Sequence, residues 1–304
     1  MIWFKYFGIS AYVLCIFDVM PLKLSGKAAS QWRKWPHRCN TLWYGRKQQR
    51  DTRVTFSIVA RDEETGAVGI AVASRFFASG ALVPYVSDRA AFASQAFINP
   101  LWGIDGLNRL NAGDAPGEIL SDLVAKDQGQ ANRQAHMLAP DGTIAQHTGS
   151  ACVPWAGHRQ ARGVSCAGNM LAGPDVVDAM IASFTDTAGQ SLILRLMAAM
   201  EAAEDAGGDK RGRQSAALII HEGQPYPAID LRVDDNADPL AELRRLIDVS
   251  EERFALFRKA MPTRENPSGM LDRRPLDTAI EEKEREMAET GVTSRSFATP
   301  LPRS

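Results

Sequence analysis

At 304 residues, the chain is long enough for one large domain or two small ones, with a substantial core. Its 45% apolar and 23% charged content is ordinary for a soluble globular protein, and a net charge of −1 gives no electrostatic case for a nucleic-acid partner. Four scattered cysteines, Cys15, Cys39, Cys152 and Cys166, are too few for a disulfide framework; Cys15 and Cys39 fall in the opening 54 residues, and Cys152 and Cys166 read as free thiols of a reducing, cytoplasmic compartment.

The near-neutral total hides an asymmetry. Residues 1–54 hold ten Lys/Arg against Asp18 and Asp51, whereas the remainder holds 25 basic and 34 acidic residues. Four of the six tryptophans also fall in this opening stretch, so it does not share a fold with the rest of the chain. Three readings of it stand. Gly8–Phe17 is an apolar run behind Lys5, and Ala28-Ala29-Ser30 resembles a cleavage region, so an export signal or pro-segment is one. The run is too short for a transmembrane helix, which needs about 18–20 apolar residues. The second is a structured extension. In the third, Val54 stands for a GTG start codon, and removal of the initiator Met would leave Thr55 as the first residue.

From Thr55 the pattern becomes regular. Two alternating apolar runs, Thr55–Arg61 and Ala67–Ser74, flank Asp62–Gly66 and predict a β-hairpin. Leu82–Val86 and Ala90–Phe97 read as strands, and Asn99–Gly103 as a turn around Pro100. Helices are predicted over Ile104–Ala112 and Ala115–Lys126, the second capped by Asp114. A second hairpin follows, Gln134–Ala139 and Thr143–Thr148 around Pro140-Asp141-Gly142. Gly149–Gly173 reads as one long polar loop, a type that is commonly functional. Pro174–Phe184 and Ser191–Ala206 are amphipathic helices, and Gln214–His221 and Ala228–Val233 are strands. Asp238-Pro239 opens a helix to about Met261, Leu276–Glu289 reads as a solvated helix, and the final dozen residues read as disordered. Helices grouped between strand pairs predict an α+β, four-layer αββα sandwich with two antiparallel sheets between helical layers. Residues 55–261 form its domain, between the atypical leader 1–54 and a charged tail 262–304.

The segments TFSIVARD (55–62), VASRF (72–76), QAFINP (95–100), CVPWAGHR (152–159), GNMLAG (168–173), GGDKRGRQSAAL (207–218) and DLRVDDNADP (230–239) together resemble the DUF1028 family. These are proteins of unassigned role placed in the N-terminal-nucleophile (Ntn) hydrolase superfamily. Its members typically open Met-Thr-Phe-Ser, so the 54-residue leader is a departure. The resemblance implies an amidohydrolase in which Thr55, once it is the N-terminus, is both nucleophile and base. The chemistry is sound: an α-amine with a pKa of roughly 7.7–8.0 can take the hydroxyl proton near neutrality. Any preceding residue blocks it.

Around Thr55 the resemblance places Ser74, Asp209 and Ser215 as further catalytic groups, the last two orienting the amine. Proteasome-like enzymes carry Asp-Ser-Arg after the second strand, but here Ala73 stands before Ser74-Arg75. Arg75 and Arg211 are candidates for an anionic substrate group, and Gln95, Trp155 and His158 for further substrate contacts. Asn99 and Asn169 are candidate oxyanion donors. Each also has a plain structural reading as turn, cap or surface residue. A Cys152–His158 thiol pair is a rival nucleophile. Asp234–Asp238 mimics a Ca²⁺ loop, but Pro239 and Arg245 replace its required Gly and Glu, so it reads as a capped helix start. The expectation is a small-molecule or peptide-like amide substrate, no cofactor or metal, and no nucleic-acid or membrane partner. Homo-oligomerisation fits such a fold, as does a non-catalytic binding or assembly role.

Overall fold

A computed structural model describes residues 55–209 and 212–298. Strands β1 (Thr55–Arg61) and β2 (Val68–Ser74) form the expected hairpin, with Thr55 opposite Ser74. Its turn is held by Asp62, whose Oδ1 accepts from the Glu64 and Thr65 amides and the Thr65 hydroxyl. A 3₁₀ turn at Ser79–Ala81 leads into β3 (Pro84–Val86), β4 (Ala91–Ala96), α1 (Pro100–Ala112) and α2 (Pro116–Lys126). Then come β5 (Arg133–Leu138), β6 (Ile144–Thr148), β7 (Gly157–Ala161) and β8 (Val164–Asn169). Helices α3 (Asp175–Asp186) and α4 (Leu192–Asp205) precede β9 (Ser215–His221) and β10 (Ile229–Val233). The chain continues through α5 (Pro239–Val249), α6 (Ala255–Arg258) and α7 (Arg274–Glu289).

The strands form a six-stranded sheet, β10-β9-β2-β1-β8-β7, and a four-stranded sheet, β3-β4-β5-β6. Every neighbouring pair is antiparallel. Alternation along each strand sends one set of side chains outward to helices and the other inward to the facing sheet. Phe56, Ile58 and Ala60 of β1 go outward and meet Met180 of α3 and Leu196 and Met200 of α4. Phe92 of β4 and Met137 of β5 meet Trp102 and Leu110 of α1 and Ile119 of α2. Val59, Val68, Ile70 and Val72 face inward against Ala91, Ala93 and Leu138. The layers therefore run helix, sheet, sheet, helix: the four-layer αββα sandwich expected from the sequence.

Several local expectations are corrected. Gly149–Gly173 is not one loop but contains β7 and β8, joined by a two-residue turn in which Gly163 has φ +70°. Pro100 does not end a turn; it is the first residue of α1, where its missing N–H costs nothing. Asp114 does not cap α2 but pairs with Arg109 at 2.5 Å, and Ala115 takes the cap position without a side-chain bond. The helix predicted from Asp238-Pro239 to about Met261 passes through a π-helical turn at Ser250–Phe254 and stops at Arg258. Asp238 does cap α5, accepting from the Ala241 amide at 3.3 Å.

Helix α1 lies close on its sheet because it presents glycine there. A Cβ on Gly106 would stand 2.4 Å from the Phe92 ring, and one on Gly103 2.1 Å from Tyr85. Gly106→Ala is therefore expected to destabilise the fold by about 1–3 kcal/mol despite its better helix propensity. A urea-unfolding midpoint equal to or above that of the parent would refute this packing argument.

Candidate functional site

The space between the sheets is divided along the strands. At the β1–β2 turn end it is apolar; at the Thr55 end it is polar. Register explains the grouping: Asn169, Thr55, Ser74 and Ser215 stand directly opposite one another across β8, β1, β2 and β9. Opposed residues of an antiparallel ladder project to the same face, so all four side chains share the inward side. All four are buried.

Thr55 Oγ1 lies 3.1 Å from Ser74 Oγ. Asn169 Nδ2 donates to Gln134 Oε1 at 3.0 Å and reaches the Thr55 carbonyl at a long 3.5 Å. Gln95 Nε2 donates to the same Gln134 oxygen at 2.9 Å, and Gln134 Nε2 donates to Thr148 Oγ1 and to the Gly157 and Gly168 carbonyls. His158 joins through Thr148, whose Oγ1 is 2.9 Å from its Nδ1. Deeper in, Ser57 Oγ donates to Gln95 Oε1 at 2.6 Å and lies 2.8 Å from His136 Nε2. His136 Nδ1 is 2.8 Å from Ser165 Oγ, which also accepts from Gln146 Nε2. Burial, reinforced by the His158 charge, pulls the His136 pKa down to about 3, so the ring is neutral. His158 is lowered too, by burial first and then by Arg159 and His147.

The structure thus brings Thr55, Ser74, Asn169, Gln95 and His158 into one hydrogen-bonded region. It places other expected site residues differently. The Ser215 hydroxyl donates to the Phe76 carbonyl at 2.6 Å and accepts from the Ser79 amide, so it fixes the loop after β2. Asp209 accepts from the Arg75 amide at 3.1 Å, anchoring the end of β2, while the Arg75 side chain is exposed. Asn99 caps α1 by accepting from Leu101 and donates to Asp127, which takes up its carboxamide structurally. Trp155 packs against the outward, helix-side core, over Gly157, and not into the inter-sheet region. Arg211 lies outside the described residues.

The rival thiol pair is not assembled. Cys152 Sγ donates to the Arg133 carbonyl, burial pushes its pKa up, and the His158 Nδ1 faces Thr148 instead. Among the described residues no group of three His, Cys, Asp or Glu side chains could hold a metal ion, and no helix is long and apolar enough to cross a membrane. An open cleft of about 840 Å³ lies at the opposite end of β1, lined by Asp62, Thr65, Phe184, Gln190 and Arg195, and it includes none of the candidate site residues.

Sequence reasoning missed Ser57, Gln134, His136, Ser165 and Gln146, which make up most of the polar region. The signal available was register: in β1, β5 and β8 these residues take the inward positions of strands whose other residues are mostly apolar, and Gln146 of β6 stands opposite His136.

Residues 55–243 match the model of DUF1028, a family of unknown function. The chain is also similar to a Silicibacter pomeroyi protein of known crystal structure, described as belonging to DUF1028. The two share 31% identity with a TM-score of 0.67, over 72% of this chain and 96% of that one. No curated protein matches the chain.

Proposed function

We propose, for a chain that belongs to the DUF1028 family, that it is an N-terminal-nucleophile amide hydrolase whose nucleophile is Thr55. The observation that carries this reading is the position of Thr55. It is the first residue of a central strand, at the polar end of an αββα sandwich, with its hydroxyl 3.1 Å from that of Ser74. In a chain starting at Thr55, the amine takes the Oγ1 proton, directly or through water, and Oγ1 bonds to the amide carbon. The tetrahedral intermediate collapses, the C–N bond breaks and the leaving amine carries off the proton. Water, deprotonated by the same α-amine, then cleaves the ester and restores the hydroxyl. Ser74 polarises the attacking hydroxyl, Gln95 and Asn169 shape the neutral wall of the site, and His158 and Arg75 stand toward its edge.

A second reading, a binding or assembly protein on the same fold, is favoured by Ala73 in the place of a carboxylate and by the commitment of Ser215 to Phe76 and Ser79. Terminal sequencing and intact mass of the protein from its native host separate the two. A first residue of Thr55, with hydrolysis of some member of an amide and peptide panel, is the expected result. A residue retained ahead of Thr55 would overturn the hydrolase reading and leave the binding one.

A further inference from the structure

The buried amides between the sheets have only one consistent proton arrangement. Gln134 Nε2 faces two main-chain carbonyls, Gly157 at 3.1 Å and Gly168 at 2.8 Å, which can only accept. Gln134 Oε1 must then face Gln95 and Asn169, so both present their N–H groups to it. That turns Gln95 Oε1 to Ser57, whose one hydroxyl proton goes there, and the contact from Ser57 to His136 Nε2 must be donated by the ring. With the proton on Nε2, the neutral ring accepts at Nδ1 from Ser165. The far end agrees independently. Gln146 Nε2 faces the Arg159 carbonyl at 2.8 Å and so donates to Ser165 Oγ, leaving the Ser165 proton for His136. Two carbonyl anchors, at opposite ends of the run, demand the same direction.

We propose that Gln134 and His136 are positioning residues: hydrogen bonds run from His136 through Ser57 and Gln95 to Gln134 Oε1, and the same oxygen accepts from Asn169, locking its carboxamide beside Thr55 with its N–H groups turned inward. Asn169 then offers Oδ1, an acceptor, to the site. It is suited to receive a hydrogen bond from the Thr55 α-amine or a substrate N–H, and unsuited to the oxyanion-donor role expected of it from sequence. The role at Thr55 rests on the hydrolase reading, but the proton arrangement does not. Ser57 is the link through which the three carboxamides of Gln95, Gln134 and Asn169 are coupled to the imidazole, since both sides of the run meet on its single hydroxyl.

The test uses the full, ¹⁵N-labelled chain at pH 7. The His136 imidazole is expected as the neutral Nε2–H tautomer; an Nδ1–H or doubly protonated ring overturns the proposal. Ser57→Ala is expected to speed hydrogen exchange at Asn169 Nδ2 by about tenfold, the loss of one neutral hydrogen bond's protection. The Val59 and Leu138 main-chain amides at the apolar end should be unchanged, and Ser57→Thr, which restores a hydroxyl, should restore protection. Unchanged exchange in Ser57→Ala, or no rescue by Thr, refutes the coupling. If Ser57→Ala does not fold, the parent's tautomer decides alone. Neither readout needs turnover, so absence of amide hydrolysis sinks the hydrolase reading and leaves this result standing.

Discussion

In a chain that begins at Thr55, Thr55→Ala is expected to lower amide turnover by at least about 10³-fold, while Thr55→Ser keeps measurable activity. The expected loss is large because in the proposed mechanism Oγ1 forms the covalent bond, and the adjacent Ser74 Oγ, 3.1 Å away, is not carried by the residue whose α-amine serves as base. The fold should survive, since the substitution removes one hydroxyl contact worth about 1 kcal/mol at a strand end. Rate should rise with pH through roughly 7.7–8.0, the ordinary range of an α-amine, because only the free base can take the hydroxyl proton. Retention of a single residue before Thr55 should silence the chain as completely as the alanine. Turnover by Thr55→Ala within a few-fold of the parent would remove Thr55 from the chemistry.

The legible parts of the fold were those whose alternation is carried by large apolar residues. β1 alternates Phe56, Ile58 and Ala60 with an inward Val59, β2 repeats Val68, Ile70 and Val72 in period two, and α3 and α4 repeat Val, Met and Leu at helical spacing. β8 was illegible although it is wholly buried and pairs directly with β1. Its sequence, VSCAGN, is buried through small and polar side chains, and the facing network provides for its inward Ser165 and Asn169. The same physics hid most of the site. Thr55 and Asn169 were legible through motif, but Gln134 and His136 look like exposed polar positions until the inner face of β5 is seen to pack against the six-stranded sheet. Burial of a polar side chain depends on its partners, and those come from strands far away in the chain. Trp155 and Asn99 erred the opposite way: both are conspicuous residues in loop-like sequence, yet one packs against the helix-side core and the other caps a helix.

His136 also makes the fold acid-sensitive in a window of its own. Burial lowers its pKa from 6.5 to about 3, so below pH 6.5 the unfolded chain takes up a proton that the folded one refuses. The stability associated with the neutral ring is complete above 6.5 and is lost as pH falls toward 3, at a limiting slope of about 1.4 kcal/mol per unit. Over that interval the upper bound is roughly 4–5 kcal/mol, a large share of the 5–15 kcal/mol typical of a domain. His158, lowered in the same direction, adds to the slope. Asp62 and Asp127, held below the usual carboxylate range, lose their contributions only in stronger acid, and Glu204 and Asp230, raised by burial, act with the opposite sign. A variant comparison isolates the imidazole from all of these. His136→Gln keeps an N–H for Ser57 but cannot titrate. It should be less stable than the parent at pH 7 by about 1–3 kcal/mol, because Ser165 loses its acceptor in a dry site. Between pH 6.5 and 4.5 the parent should lose stability steeply and the variant much less, so the two urea midpoints should converge. Parallel curves over that range would mean that His136 is not buried neutral, and the inter-sheet network would need a different anchor.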